Sequence, residues 1–541
     1  MSIRSSRVRS IGRGLTLGAL WTLAFVALAG VADVLRLAPN PAFRIFEWIS
    51  GLLPGAVITF AIDRLVALVH ALGASSTAAA AKTIEKALAV AVAAALGAVV
   101  GAVIADLVRR PVQSRTKWGG KPVDIGLAAG AACAAFFLLV IARDRAGLTI
   151  VCTLGGFLAW GGVLGASIGV AGAARATTPA VGAPEAPETP EAQVAAPGVS
   201  IGEEPVGERR HALMLLGALA AFTTVLATGL ARLLRRPVHS PPPSPASTPS
   251  GRLVPAPGTR PELTPTKDFY RIDINLAPPV IEAASWRLAL AGLFEHPREL
   301  TLDDLRARPA ITQLITLECI SNPVGGDLIG TARWTGCSLG ALVDELGLTR
   351  DARALSLEAA DGFYESVALA DAHDPRALLV YEMNGEPLTA EHGFPLRLFL
   401  PNRHGMKLPK WLRRLEAVAD PRPGYWVERG WSATAIPHTT SVIDTARREG
   451  DNLAIGGIAY AGARGISRVE VQIDAGPWQP AQLRIPPLSP LTWVQWRLDV
   501  AHAPGHHTIR VRAYDGTGAP QETTVRPPHP DGATGLHERK V

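Results

Sequence analysis

A chain of 541 residues is too long for a single core, and at about 150 residues per domain it implies about three or four units. Hydrophobic residues make up 48% and charged residues 18%, with a mean hydropathy of +0.20, which is high for a wholly soluble protein and points to membrane segments. The net charge is +6, but the arginines cluster beside apolar stretches and in the second half of the chain. With no basic stripe and no recognised binding fold, nucleic acid is not an expected partner.

Five stretches before residue 175 approach the roughly 20 apolar residues needed to cross hydrocarbon: 15–32, 48–72, 87–105, 125–142 and 147–174. In the third, Gly97 and Gly101 form a small-xxx-small step that favours close helix packing. The second is interrupted by Pro54, Asp63 and Arg64; the last two read either as an interfacial or bundle-facing pair or as part of a transport path. The first unit is thus a transmembrane helical region over 1–174. An Ala/Pro/Glu linker follows over 175–208, then a last transmembrane helix over 209–233 and a Pro-rich spacer over 234–265.

From 266 the texture becomes α+β, to about 435. Leu288, Leu290 and Gly292 predict a strand, and Thr301 with Asp304 predicts a capped short helix. Over 440–528 the alternation of Val469, Val471 and Ile473, and of Ile509, Val511 and Ala513, predicts a β-sandwich, with 529–541 as a tail.

The chain has four cysteines, without CxxC or CxxCH spacing; Cys133 and Cys152 lie in apolar runs and read as small hydrophobes. Cys319 is different. It follows a strand-like Ile-Thr-Leu and precedes Ser, Asn, Pro and two glycines, a loop through which backbone can approach a ligand closely. Alone, it reads either as an inert buried thiol or as a soft ligand for a transition metal.

Leu317-Glu-Cys-Ile-Ser-Asn-Pro-Val-Gly-Gly-Asp327, followed by Thr331-Ala-Arg-Trp-Thr-Gly336, resembles the cysteine loop of sulfite oxidase-type molybdenum enzymes. Phe269-Tyr-Arg271 and Trp286-Arg-Leu-Ala-Leu-Ala-Gly292 upstream are similar to that family, as are Met383-Asn-Gly-Glu-Pro-Leu388, His392-Gly-Phe-Pro-Leu-Arg397 and Pro401-Asn-Arg-His-Gly-Met-Lys407 leading to Lys410-Trp411. The ordered match runs over about 266–425. The resemblance implies a molybdopterin-binding catalytic domain over 266–435. Cys319 would be its metal ligand, with Tyr270, Arg271, Asn322, His392, Arg397, Lys407, Leu408, Pro409 and Lys410 holding the pterin and its phosphate. Arginine forks and lysine point charges suit a buried phosphate. Arg333 is expected either as an anion contact or as a brace against Asp327, and Asp361 with Tyr364 either as part of the substrate mouth or as a turn before a strand. Cys337 reads as structural. The C-terminal segment resembles the family's immunoglobulin-like dimerisation domain, which implies a homodimer by analogy.

The reaction implied is two-electron oxygen-atom transfer to or from sulfite, an S-oxide or a similar small oxyanion. Typical sulfite oxidases carry Arg close behind the cysteine, whereas Ser321-Asn322-Pro323 stands here, so the substrate is open. A separate cytochrome or quinone-linked protein is the expected electron partner. No haem is expected, because His70 and His211 are the histidines in or beside apolar runs. Glu208-Arg209-Arg210 resembles a weak twin-arginine export signal. Under the positive-inside rule, Arg209 and Arg210, the loop with Arg109, Arg110, Arg115 and Lys117, and the N-terminal Arg4, Arg7, Arg9 and Arg13 are all cytoplasmic if the interrupted second stretch does not span. The catalytic half is then extracytoplasmic, on a multi-pass cell-membrane anchor. Two other readings are a metal-free scaffold on the same fold, and a transporter with an extracytoplasmic regulatory domain.

Overall fold

The computed structural model describes residues 2–35, 38–71, 77–109, 122–141, 147–173, 253–501 and 505–541. The linker over 175–208, the sixth apolar run, His211, the Arg209-Arg210 pair and the loop with Arg110, Arg115 and Lys117 lie outside these residues, as do the side chains of Asp63, His70 and Arg109. Two units are separable by their internal contacts: residues 1–52 with 83–235, and residues 53–82 with 236–541.

In the first unit the long helices are α1 (Ser2–Val34), α4 (Thr77–Arg109), α5 (Pro122–Ile141) and α6 (Gly147–Ala173). Each contains a stretch long and apolar enough to cross a membrane. The interrupted 48–72 stretch is two shorter helices, α2 (Pro41–Leu52) and α3 (Gly55–Ala71), because Pro54 has no N–H to donate and blocks helix continuation. Neither reaches spanning length, being 12 and 17 residues.

Glycines set the helix approach. A Cβ on Gly97 of α4 would lie 1.8 Å from Thr22 Oγ1 of α1, and one on Gly101 2.1 Å from the Gly14 carbonyl oxygen. Only hydrogen fits there, as the Gly97/Gly101 step predicts. Gly126 of α5 and Gly161 of α6 meet in the same way. At one end of the α1/α4 pair Arg7 Nε donates to Asp106 Oδ1 at 3.0 Å.

In the second unit, one mixed sheet has the order β2 (Arg298–Leu300), β1 (Leu288–Gly292), β10 (Leu412–Val418), β5 (Ala354–Ala359), β6 (Tyr364–Ala368); β1 and β10 are parallel and the rest antiparallel. An antiparallel sheet runs β3 (Ile311–Glu318), β4 (Ile329–Ser338), β7 (Leu378–Met383), β8 (Glu386–Pro387), with β9 (Arg397–Phe399) also on β7. Short helices α7 (Leu302–Arg306), α8 (Leu339–Leu346) and α9 (Leu369–Ala372) connect them. The box at α7 forms as expected: the Thr301 hydroxyl accepts from the Asp304 N–H, and the Asp304 carboxylate accepts from the Thr301 N–H. One core, including Leu288, Ile315, Trp334, Leu342, Leu379 and Leu415, joins the sheets.

The C-terminal β region has two antiparallel sheets. One is β11 (Thr440–Glu449), β12 (Asn452–Tyr460), β16 (Val494–Ala501), β15 (Gln482–Leu483); the other is β14 (Gln479–Pro480), β13 (Ile466–Ile473), β17 (Thr508–Asp515), β18 (His537–Lys540). Val469, Val471, Ile509, Val511 and Ala513 are fully buried against Trp496 between them, and Ile473 is half-buried. Two segments differ from the sequence reading. Strand β18 lies within the expected tail and pairs with β17, because an unpaired strand edge leaves N–H and C=O groups open. Residues 253–265, expected as spacer, are packed: Arg260 pairs with Asp444 at 2.7 Å, the Pro257 carbonyl accepts from the Thr445 hydroxyl, and Thr264 N–H donates to the Thr331 carbonyl.

Replacing Gly97 by valine is expected to break α1/α4 packing and lower the melting temperature of the detergent-solubilised protein, whereas alanine at Gly12, which meets nothing within 4 Å, leaves it unchanged. Thermal unfolding of the two variants checks this.

Candidate active site

The Cys319 loop is held shut from within. Cys319 N–H donates to the Leu328 carbonyl, Asn322 N–H to the Cys319 carbonyl, and Gly326 N–H to the Pro323 carbonyl. Asn322 braces both ends: its Nδ2 donates to Glu318 Oε1 at 3.0 Å, and its Oδ1 accepts from Leu328 N–H at 2.9 Å. A satisfied, buried amide of this kind fixes loop geometry. Cys319 itself is buried, with Sγ 3.0 Å from Ser321 Oγ, and burial raises its thiol pKa. Cys337, by contrast, sits in the core on β4, where burial pushes its thiol up to about 11.

The cysteine loop lines a small recess together with Glu318, His404, His438, Thr440, Gly532 and Ala533. His404 sits on a rigid turn. Arg403 grips Asp371 through Nε and Nη2, Asn402 Oδ1 accepts from Ala463 N–H, and His404 N–H donates to the Ala435 carbonyl. The His404 Nδ1 lies 3.2 Å from the Glu318 carbonyl oxygen, and burial lowers the imidazole pKa to about 4. Burial raises the Glu318 carboxyl to about 7.

A second cluster gathers cations on one buried carboxylate. Asp273 accepts from Arg271 Nε at 2.6 Å and from Lys410 Nζ at 3.2 Å, with Lys82 Nζ 3.5 Å away. Burial opposes ionisation, but the three cations hold the Asp273 carboxyl well below its usual range. Burial lowers Lys410 to about 8. Arg397 is buried with its guanidinium over Trp334 at 4.9 Å and Nη1 on the His392 carbonyl; no carboxylate is among its described partners, and burial lowers it to about 10. His392 Nε2 lies 3.1 Å from the Thr266 carbonyl oxygen, fixing the segment that carries Tyr270 and Arg271. Tyr270 is half-buried, and desolvation lifts its hydroxyl pKa well above the usual range. Its ring stacks on Phe269. Lys407 is tied to the buried Glu365 at 2.9 Å; Leu408 is buried, and Pro409 accepts the Leu398 N–H.

Not every expected residue joins these clusters. Arg333 has an exposed side chain on β4 and only its backbone pairs, with Asn384; Asp327 instead accepts from the Thr77 N–H. Neither expected role of Arg333 is seen, since strand alternation turns it away from buried Ala332 and Trp334. Asp361 lies in a tight turn, its carboxylate capping the Phe363 N–H, beside Asp273 and Lys410 rather than on the Cys319 cleft. Tyr364 begins β6 and bonds to Glu428. The residues missed by sequence reading are Lys82, Asp273, His404 and His438. Lys82 comes from the first turns of α4, and no motif links it to Asp273; its Nζ also donates to the Asp273 and Asn275 carbonyls, each at 3.0 Å.

The donors fit an anionic, metal-coordinating group. A soft thiol heads a braced loop, and a buried guanidinium without a carboxylate requires a negative partner.

Asp361 gives a pH prediction. Burial first, then Asp273, raises its carboxyl from 3.8 to about 6. Between those values the folded state holds more protons than the unfolded one, so stability falls as pH rises. Asp361→Asn, which keeps the acceptor for Phe363, is expected to be more stable than the parent at pH 8 by on the order of 2 kcal/mol and little different at pH 4. Thermal unfolding at the two pH values reads this out.

Comparison with known proteins extends the site's reading to the chain. The family model for an oxidoreductase molybdopterin binding domain matches residues 275–426, and that for a Mo-co oxidoreductase dimerisation domain matches 430–526. Sulfite oxidase of Arabidopsis thaliana is 30% identical over 267 residues, covering 40% of this chain and 68% of that protein. YedZ1 of Azospira oryzae, whose name describes a protein-methionine-sulfoxide reductase subunit, is 32% identical over 152 residues, or 28% of this chain and 56% of that protein. The sulfane dehydrogenase SoxCD of Paracoccus pantotrophus overlays with a TM-score of 0.46 at 24% identity, covering 52% of this chain and 81% of that one. The chain belongs to the sulfite oxidase-type molybdopterin oxidoreductases and is an enzyme of that class.

Proposed function

We propose that this enzyme is a membrane-anchored oxidoreductase that moves an oxygen atom to or from a small substrate such as sulfite, an S-oxide or a similar oxyanion. The reading is carried by one juxtaposition: buried Cys319 on a braced loop, with buried Arg397 and the half-buried cations Arg271 and Lys410 in the same domain. The family's binding domain implies a molybdenum-molybdopterin cofactor. When bound, that group supplies two-electron oxygen-atom transfer.

The protein's part is positional and electrostatic. Cys319 offers the sulfur ligand, and Asn322 braces the loop that carries it. Arg397, Lys410 and Arg271 offer charge to a phosphate, with Tyr270 and His392 fixing the same pocket; Lys82 adds a further cation there. The backbone of Lys407, Leu408 and Pro409 carries the turn that leads into Lys410. Asp361 acts as a capping carboxylate.

Membrane anchoring is supported by the four helices of spanning length. The shortness of α2 and α3 supports a topology in which the three arginine-rich clusters are cytoplasmic under the positive-inside rule and the catalytic half is extracytoplasmic. A separate electron carrier and a homodimer through an immunoglobulin-like C-terminal region complete the reading; the dimerisation match at 430–526 supports the latter.

Metal and pterin analysis of the protein purified from a host that makes the cofactor tests the proposal. About one molybdenum and one pterin per chain are expected, with altered metal ligation in Cys319→Ala. Their absence from the parent protein would return the chain to a scaffold role.

A further inference from the structure

Residues 53–82 pack with the catalytic half of the chain rather than with residues 83–235. Three contacts fix the start of α4 there. Thr77 N–H donates to Asp327 Oδ2 in the cysteine loop at 2.9 Å. Ala78 is buried in one cluster with Cys319 and Leu328, against which Tyr270 and Ile272 pack. One turn on, Lys82 Nζ donates to the Asp273 and Asn275 carbonyls and lies 3.5 Å from Asp273 Oδ1. Positions 78 and 82 are four apart and so share one helix face. That face bridges the loop of the metal ligand and the segment after Tyr270.

Charge is the second observation. The cations Arg271, Lys410, Lys82 and Arg397 and the carboxyls of Asp273 and Asp361 act on one another. At pH 7 Asp361, raised to about 6, is ionised, and Lys410, lowered to about 8, is still protonated. Four positive charges then stand against two carboxylates, leaving two; without Lys82 only one is left. A phosphate monoester carries about −1.5 to −2 at this pH, so Lys82 brings the cluster to the charge that such a group needs. Two carbonyls and a carboxylate surround the Lys82 ammonium, so it acts through Asp273 rather than on a ligand directly.

We propose that the first two turns of α4 close the cofactor site and that Lys82 is a positioning residue for the cofactor's phosphate. Lys82 neutralises Asp273, which leaves Arg271 and Lys410 with net charge for an anion, while Thr77 and Ala78 hold the cysteine loop. Escape of the cofactor then requires the start of α4 to lift. The topology proposed above puts the start of α4 on the same side of the membrane as the catalytic half, as this contact requires. The inference rests on the cofactor reading given above.

The test uses the full-length enzyme, loaded in a host that makes the cofactor, purified in detergent and held below its unfolding transition. Release of pterin is followed by the fluorescence of its oxidised form after separation from the protein, which needs no turnover. Lys82→Gln keeps hydrogen-bond donors but loses the charge, and is expected to release pterin roughly 10- to 100-fold faster than the parent, the effect of one unit charge several ångströms away at partial burial. Lys82→Arg, which restores the charge, should bring most of that retention back. Thr77→Pro removes one N–H and is tolerated in a first turn. In protein made without the cofactor it should speed maleimide labelling of Cys319, read at that residue by peptide mass spectrometry, about tenfold, the effect of one hydrogen bond to a carboxylate. Thr77 lies outside the ion cluster, so this result stands even where Lys82→Gln fails to fold. A Lys82→Gln variant that retains pterin as the parent does, a Lys82→Arg variant no better than Lys82→Gln, or unchanged labelling in Thr77→Pro overturns the inference while the cofactor reading stands. A parent that carries no pterin overturns the cofactor reading and the positioning role with it, and labelling of Cys319 still reports whether α4 covers the thiol.

Discussion

The carboxylate of Asp273 is the interaction on which the rest of the site depends. It is buried among Arg271, Lys410 and Lys82, which come from three distant parts of the chain. An isolated carboxylate at such depth would be driven to its neutral form, and isolated cations would lose their protons or solvate elsewhere. Together they stabilise one another, and the ion cluster pins the segment after Tyr270, the Lys410 turn and the first turns of α4 in a single arrangement. Removing the carboxylate would leave three cations near one another with only Asp361 beside them among the described carboxylates.

Two kinds of polar environment therefore lie within one domain. The Asp273 cluster and Arg397 are rich in cations and suit a bound anion. The recess at Cys319 is lined by His404, whose imidazole burial holds below its usual range, by His438 and by Glu318, whose carboxyl is pushed up by burial. The loop between them is rigid because Asn322 satisfies both its amide oxygen and its amide nitrogen inside the loop.

The helical unit obeys a different constraint. Lipid offers no hydrophobic gain when two apolar helices meet, so close approach of backbones must supply the attraction. Gly14 and Gly18 of α1 face Gly97 and Gly101 of α4, and Gly126 and Gly130 of α5 face α6 through Gly161 and Phe157. Side chains larger than hydrogen at these points would overlap backbone oxygen.

Much of this was legible in the sequence. Apolar length marked the four helices long enough to cross a membrane, Pro54 marked the break, period-2 alternation marked β13 and β17, and Thr301 with Asp304 marked the capped helix, because each depends on neighbours a few residues apart. The Cys319 loop was legible for the same reason: Glu318, Asn322 and Leu328 brace it locally. Tertiary structure alone decided the rest. Arg333 read as an anion contact or a brace against Asp327 until strand pairing turned it outward, and Asp361 read as part of the mouth or as a turn before a strand until the fold set that turn beside Asp273. Lys82 reached Asp273, and His438 and Gly532 reached His404, across separations that no motif spans. The 253–265 segment and β18 gained their structure only by packing on β11 and β17. Local chemistry was written in local sequence, whereas charge pairing and cleft walls arise between residues that only folding brings together.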